Sequence, residues 1–184
     1  MGLTYFKRFR MDCDLREALP AARPLPSGYE LVPFSQDLIR QHAIAKYESF
    51  RHELDANVFP CLGRRDGCLR LMREIASRPT FVPESTWLLR HRDQRGRIES
   101  IGTIQGLQSE GWGAIQNLGV QQSHRGLGLG SILLMKAAAG FWNAGLQKIH
   151  LEVTTENTAA IRLYERLGFK RAQVVYKAAD VAGV

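Results

Sequence analysis

Residues 125–131, Arg-Gly-Leu-Gly-Leu-Gly-Ser, specify chemistry more directly than any other stretch of this sequence. Gly126, Gly128 and Gly130 alternate with Leu127, Leu129 and Ser131, and glycine lets backbone N–H groups approach an anion with no Cβ in the way. An apolar segment ending at Val120 precedes them and Ile132, Leu133 and Leu134 follow, so the order is strand, glycine loop, helix N-terminus. Unpaired N–H groups and the positive end of a helix dipole gather at such a junction. Arg125 adds a permanent charge on a planar fork of donors. The predicted chemistry is capture of a ligand that carries a diphosphate.

The loop type narrows the ligand. A Walker A loop needs Lys and then Ser or Thr after its last glycine, whereas Gly130 is followed by Ser131 and Ile132. That type is excluded. The dinucleotide fingerprint G-x-G-x-x-G/A comes nearer, with Gly126-x-Gly128, Ser131 as the last small residue and Glu152 further on. Against it, the glycines begin several residues after the strand, and too little chain follows to complete a doubly wound sheet.

The third type matches better. Arg125-x-x-Gly128-x-Gly130, preceded by Leu118-Gly119-Val120, resembles the acyl-CoA pyrophosphate loop of the GCN5-related N-acetyltransferase (GNAT) family. Downstream, Asn157-x-x-Ala160-x-x-Leu163-Tyr164-Glu165-x-x-Gly168-Phe169 resembles that family's second conserved block. The likeness covers residues 97–177 and hardly touches the first half; Gln122 stands where many members carry proline. The resemblance implies an α/β (mixed α+β) fold. Its central, mostly antiparallel sheet would be splayed between the fourth and fifth core strands and flanked by helices. It also implies acetyl-CoA as acyl donor and transfer of the acetyl group to a primary amine of a small molecule or protein. Leu118, Gly119 and Val120 would line the pantetheine arm, Arg125, Gly126, Leu127, Gly128, Leu129, Gly130 and Ser131 the pyrophosphate; Asn157 would reach the pantetheine and Tyr164 the sulfur. Within that scheme the Val120 N–H donates to the acetyl oxygen, and Tyr164 protonates the departing thiolate.

Spacing is consistent with the Tyr164 assignment. It follows Asn157 by two helical turns, so both side chains fall on one face, although the same spacing also packs Tyr164 with Ile161 and Leu167. A phenol with a reference pKa of about 10 keeps its proton at neutral pH. For the general base Glu110, Glu152 and His91 are candidates, and nothing in the sequence singles one out.

Composition sets the outer limits. The chain has 184 residues, 45% hydrophobic and 23% charged, as globular proteins do. No apolar run approaches the ~20 residues of a membrane span, and Met1 to Leu15 lacks the apolar core of a signal peptide, which predicts a cytoplasmic protein. Cys13, Cys61 and Cys68 fit no metal-ligand spacing and are read as free thiols. The net charge of +7 is scattered, without a basic run or a nucleic-acid motif, and a positive cleft equally suits anionic coenzyme A. Two further functions stay open, a non-catalytic acyl-CoA-binding or interaction module and a basic nucleic-acid-binding protein. The acceptor is unidentified, and a homodimer is allowed for.

The elements that must position these residues are predicted as one domain over 1–184. It divides into an N-terminal strand and Pro-rich connector (1–28), acceptor-side helices (29–84) and an acyl-CoA-binding core (85–178). Leu3 to Leu15 alternates as an edge strand, with Leu3, Tyr5, Phe9, Met11 and Cys13 on one face and Thr4, Arg8, Arg10, Asp12 and Asp14 on the other. Pro20, Pro24, Pro26 and Gly28 mark the connector. A strand at Tyr29 to Pro33 leads through a Ser35 cap to a helix with Ile39, His42, Ala43, Tyr47 and Phe50 on one side, His42 as a core histidine. Arg51, His52, Glu53 and Asp55 follow in a loop, and the resemblance to the GNAT family, in which this region walls the acceptor cleft, implies that they are acceptor-site candidates. Asp66 is predicted to cap a second helix that stops before Pro79. Strands at Thr86 to His91, Arg97 to Gln108 and Trp112 to Val120, joined by short turns, are antiparallel neighbours. A helix ending near Gly145, a strand at Lys148 to Val153, a helix from Asn157 to Gly168 and a strand from Lys170 to Ala178 complete the chain.

Overall fold

The computed structural model describes residues 2–17 and 23–181. Seven strands form one sheet in the order β2-β3-β4-β5-β6-β1-β7. They are β1 (Gly2–Asp14), β2 (Tyr29–Pro33), β3 (Trp87–Arg92), β4 (Ile98–Ser109), β5 (Trp112–Val120), β6 (Lys148–Thr154) and β7 (Lys170–Val181). Every neighbouring pair is antiparallel except β5 with β6, which is parallel. The helices are α1 (Ile39–Phe50), α2 (Asp55–Val58), α3 (Arg65–Ser77), α4 (Leu129–Asn143) and α5 (Thr158–Arg166). The predicted mixed α/β architecture holds, and no helix among the described residues is long and apolar enough to cross a membrane.

Two local expectations are corrected. β1 is not an edge strand: it lies between β6 and β7, pairing Arg8 to Asp14 with β6 and Gly2 to Asp12 with β7. Alternation reports which face a side chain occupies and says nothing about which strands lie alongside. Asp66 does not cap α3, whose N-cap is Arg64 with no side-chain cap bond; Asp66 sits in the first turn, beside the positive end of the helix. Of the connector, residues 18–22, including Pro20, lie outside the described residues.

The period-2 pattern of β4 places helices on both faces of the sheet. Thr103, Gln105 and Leu107 meet α1 and α3, whereas Ile104 and Gly106 meet α4. Helix α4 packs backbone to backbone on residues 83–85, because a Cβ on Gly140 would lie 2.0 Å from the Glu84 carbonyl oxygen. Its N-terminus is thereby fixed relative to the centre of the sheet.

A buried polar chain fixes α1. Lys46 Nζ donates to Gln105 Oε1 (2.6 Å), Gln105 Nε2 donates to Thr103 Oγ1 (2.5 Å), and that leaves the Thr103 hydroxyl to donate to His42 Nδ1 (2.8 Å). His42 is thus the core histidine expected, held neutral because burial pushes its pKa down to about 3. Lys46 is fully buried, and the same desolvation lowers its amine from 10.5 to about 7. Between those values the unfolded chain binds the extra proton, so stability should rise with pH across that window and be fully penalised below it. Relative to Lys46→Met, the wild type should gain ~1 kcal/mol of unfolding free energy per pH unit above about pH 7. Urea titrations of both proteins at pH 7.5 and about two units higher check this, and parallel profiles would refute it.

Candidate active site

The site begins with an irregularity in β5. In the β4–β5 register Thr103 faces Gly119 while Gln105 faces Gln116, so three steps on β5 oppose two on β4. Asn117 takes up the extra residue at φ 50°, a left-handed conformation that asparagine tolerates better than most residues. The bulge turns β5 aside, and β5 and β6 pair only at Gly113–Ile149 and Ala114–His150. Beyond those pairs the strands diverge, as the splayed sheet required.

The free edge of β5 faces the gap. Gln121 N–H bonds the Ile101 carbonyl at 2.7 Å, and antiparallel alternation then aims Gly119 and Gln121 at β4. The N–H groups of Leu118 and Val120 consequently point away from β4, towards β6. Gly119 serves the wall in another way. A Cβ there would approach Phe50 and Ser49 to less than 3 Å, so the glycine lets the end of α1 lie against the strand.

At the other end of the gap lies the glycine loop. Gly126 (φ 82°) and Gly128 (φ 76°) have left-handed backbone, and a Cβ added at either meets nothing within 4 Å. The space above them is an open cradle. Gly128 is the residue before α4, and the first bond within that helix runs from Ile132 N to Gly128 O (3.2 Å), so Leu129, Gly130 and Ser131 present unpaired N–H groups. This donor set fits a pyrophosphate. Gly130 also sits 3.4 Å, by an added Cβ, from Leu163 of α5, so its small size sets helix spacing.

Arg125 lines the cleft beside the loop and is held by the protein itself, donating Nε to the Val120 carbonyl (2.8 Å), Nη1 to Glu53 (2.7 Å) and Nη2 to the Ser49 carbonyl (3.1 Å). A carboxylate and two carbonyls on neighbouring segments satisfy the fork. The side chain is a clasp between the end of β5 and the end of α1, and the cradle is made of backbone.

Helix α5 presents the second group of residues. Asn157 caps it, Oδ1 accepting from Ala160 N at 3.2 Å, which leaves Nδ2 free of that task. At the other end Phe169 N–H bonds the Tyr164 carbonyl (3.0 Å) and Gly168 N–H the Glu165 carbonyl (3.1 Å), the bond pair of a Schellman motif. The Phe169 ring returns to lie 5.9 Å from the Tyr164 ring. The C-cap thus holds Tyr164 in place. Burial raises the Tyr164 phenol above its ordinary pKa, Asp55 raises it further and Arg8 opposes the rise.

Loop, β5 edge and α5 line one cleft of about 710 Å³, which also takes in Glu53, Asp55 and Glu152. Of the three candidate bases only Glu152 lines it. His91 stacks with Tyr29 and His124 at centroid distances of 4.6 and 4.9 Å, and Glu110 sits in the β4–β5 turn at φ 51°. Among the loop candidates Arg51 and His52 are exposed, and Arg51 pairs with Glu48 at 3.2 Å. Residues not singled out from sequence complete the wall, notably Arg8, Ser49 and Phe59. Alternation places Arg8 on the polar face of β1, and in the interior strand Arg8 lines the cleft while Arg10 and Asp12 pair with each other away from it.

Comparison with known proteins agrees with this geometry. A family model described as "Acetyltransferase (GNAT) family" matches residues 45–169. A mycothiol acetyltransferase of Thermobispora bispora is 38% identical over 92% of this chain and 56% of its own length. One from Mycobacteroides abscessus is 28% identical over 82% and 58%. A GCN5-related N-acetyltransferase structure from Sphaerobacter thermophilus superposes with a TM-score of 0.68 at 24% identity, covering 96% of this chain and 52% of that one. The chain therefore spans about half the length of the relatives it matches.

Proposed function

The chain belongs to the acetyltransferase (GNAT) family, and from that premise we propose that it transfers an acetyl group from acetyl-CoA to a primary amine in the cleft between β5 and β6. The observation that carries the reading is that three features share one cleft: the open backbone cradle at Gly126 and Gly128, the free N–H edge at Leu118 and Val120, and the anchored phenol of Tyr164. Acetyl-CoA supplies an activated thioester and an anionic pyrophosphate, and the N–H groups of residues 126–131 would hold the latter. Leu118 and Val120 would pair with the pantetheine amides, joined by the free Nδ2 of Asn157. The Val120 N–H stabilises negative charge on the acetyl oxygen, and one preorganised donor is worth ~3 kcal/mol of barrier. Tyr164, whose raised pKa keeps it protonated beyond the ordinary phenol range, gives its proton to the leaving sulfur. Glu152, which lines the cleft, would receive a proton from the amine, directly or through water.

Calorimetric titration with acetyl-CoA, and in parallel with NAD and a short DNA duplex, tests the donor. Saturable binding of acetyl-CoA alone is the expected result, and thiol release on adding amines then demonstrates transfer. No acetyl-CoA binding at millimolar concentration sinks the reading. Binding without release for any amine would favour a non-catalytic acyl-CoA module. A cytoplasmic setting is part of the same reading.

A further inference from the structure

The donor end of the cleft is accounted for by backbone; the acceptor end is lined by charge. Arg8 is only 5% exposed, yet of its donors one is used, Nη2 bonding the Glu152 carbonyl at 2.9 Å. Nε and Nη1 are shut off from solvent without a hydrogen-bond partner. The nearest carboxylate, Glu152, stays 3.8 Å from Nε with its side chain half exposed, and the Phe59 ring covers the guanidinium at 4.8 Å. Ser49 Oγ, on the same cleft, is also buried and unpartnered. Asp55, half-buried on the facing segment, interacts electrostatically with both Arg8 and Tyr164.

A buried guanidinium with open donors is costly unless an anion completes it, since each unmade charged hydrogen bond forfeits its full desolvation cost. The cleft residues offer no side-chain carboxylate within bonding distance of those two donors. Arg8 lines the cleft, so an anionic group of a ligand bound there would complete its fork. Arg8 and Asp55 both lie near Tyr164, where the reacting amine arrives, so cation and carboxylate bracket the reacting position. We propose that the acceptor is a small primary amine that also carries a carboxylate a few bonds away, an amino acid or a close analogue, with its carboxylate on Arg8 and its ammonium drawn in by Asp55. This rests on the acetyl-transfer reading above.

Amino acids, their carboxamides and the corresponding decarboxylated amines, compared as acceptors at saturating acetyl-CoA, provide the test. The free acid should be preferred by about 20-fold or more in kcat/KM over the amide, because the amide leaves a buried charge unpaired. Arg8→Gln should collapse that ratio to about threefold, and Arg8→Lys should retain part of it, with the acetyl-CoA Kd unchanged in both. Asp55→Asn should raise KM for the free acid without reversing the preference. A merely structural Arg8 would lower stability and leave the ratio intact, which overturns the proposal, as does acceptance of neutral amines but of no carboxylated one. If no acceptor releases thiol, calorimetry of the same compounds into the CoA-loaded protein decides: a preference for the acid supports the assignment, and no preference overturns it. Failure of acetyl-CoA to bind would defeat the donor reading instead, and titration into coenzyme-free protein would still decide the Arg8 assignment by the same preference.

Discussion

Gly128→Leu is expected to weaken acetyl-CoA binding by at least ~100-fold while the protein stays folded, because a side chain there fills the cradle through which backbone donors reach the phosphates. Two effects must be separated. Gly128 has φ 76°, so any L-residue adds strain of about 1–2 kcal/mol as well as bulk. Gly145 supplies the control, since it lies past the other end of α4 at φ 84°, and an added Cβ there also meets nothing within 4 Å. Gly145→Leu should lower the unfolding midpoint about as much and leave the acetyl-CoA Kd unchanged. Calorimetry on both variants, with urea unfolding as the stability check, compares strain alone with strain plus obstruction. Equal Kd values for the two would remove the pyrophosphate from this loop.

Tyr164→Phe is expected to lower kcat by about 100-fold or more with the acetyl-CoA Kd changed by less than about threefold, the mark of a group whose proton matters only as the thiolate leaves. The ring stays, so the contact with Phe169 survives and stability should move by no more than ~1 kcal/mol. The pH profile separates roles further. A raised phenol pKa means that the donor keeps its proton past pH ~10, so ionisation of Tyr164 should cause no loss of wild-type kcat on the alkaline side below that value. A variant with near-normal kcat would assign Tyr164 to packing alone, the other role its helical spacing allowed.

What could be read from sequence was local. The glycine loop, the Asn157 cap and the Gly168-Phe169 stop are written in residue types with narrow conformational preferences, and each appears where its chemistry demands it. β2 and β5 have the predicted bounds, and β3 and β4 are shifted by one residue. What could not be read depends on partners distant in sequence. The interior position of β1 follows from pairing with β6 and β7, more than a hundred residues away, and alternation carries no record of it. Arg8 looks like any solvent-facing arginine until that pairing is known. Lys46 and Ser49 fall on the buried side of α1, although polar residues normally mark the outer side; the Gln105 and Thr103 chain that makes burial of Lys46 tolerable is on β4. Arg125 shows the converse. Its type and position suggested an anionic ligand, whereas a carboxylate of the protein itself takes the charge.

The place of β1 also bears on the order in which the molecule is built. Among the described residues β1 forms ladders only with β6 and β7, so Arg10 waits for Glu152 and Gln173 before its backbone is enclosed on both sides. Such distant pairings impose a large loop-closure entropy and slow folding. During synthesis β2 to β5 can assemble as a meander before β6, which pairs with β1, has left the ribosome. The part of the cleft where Arg8 sits is therefore completed after the β4–β5 wall.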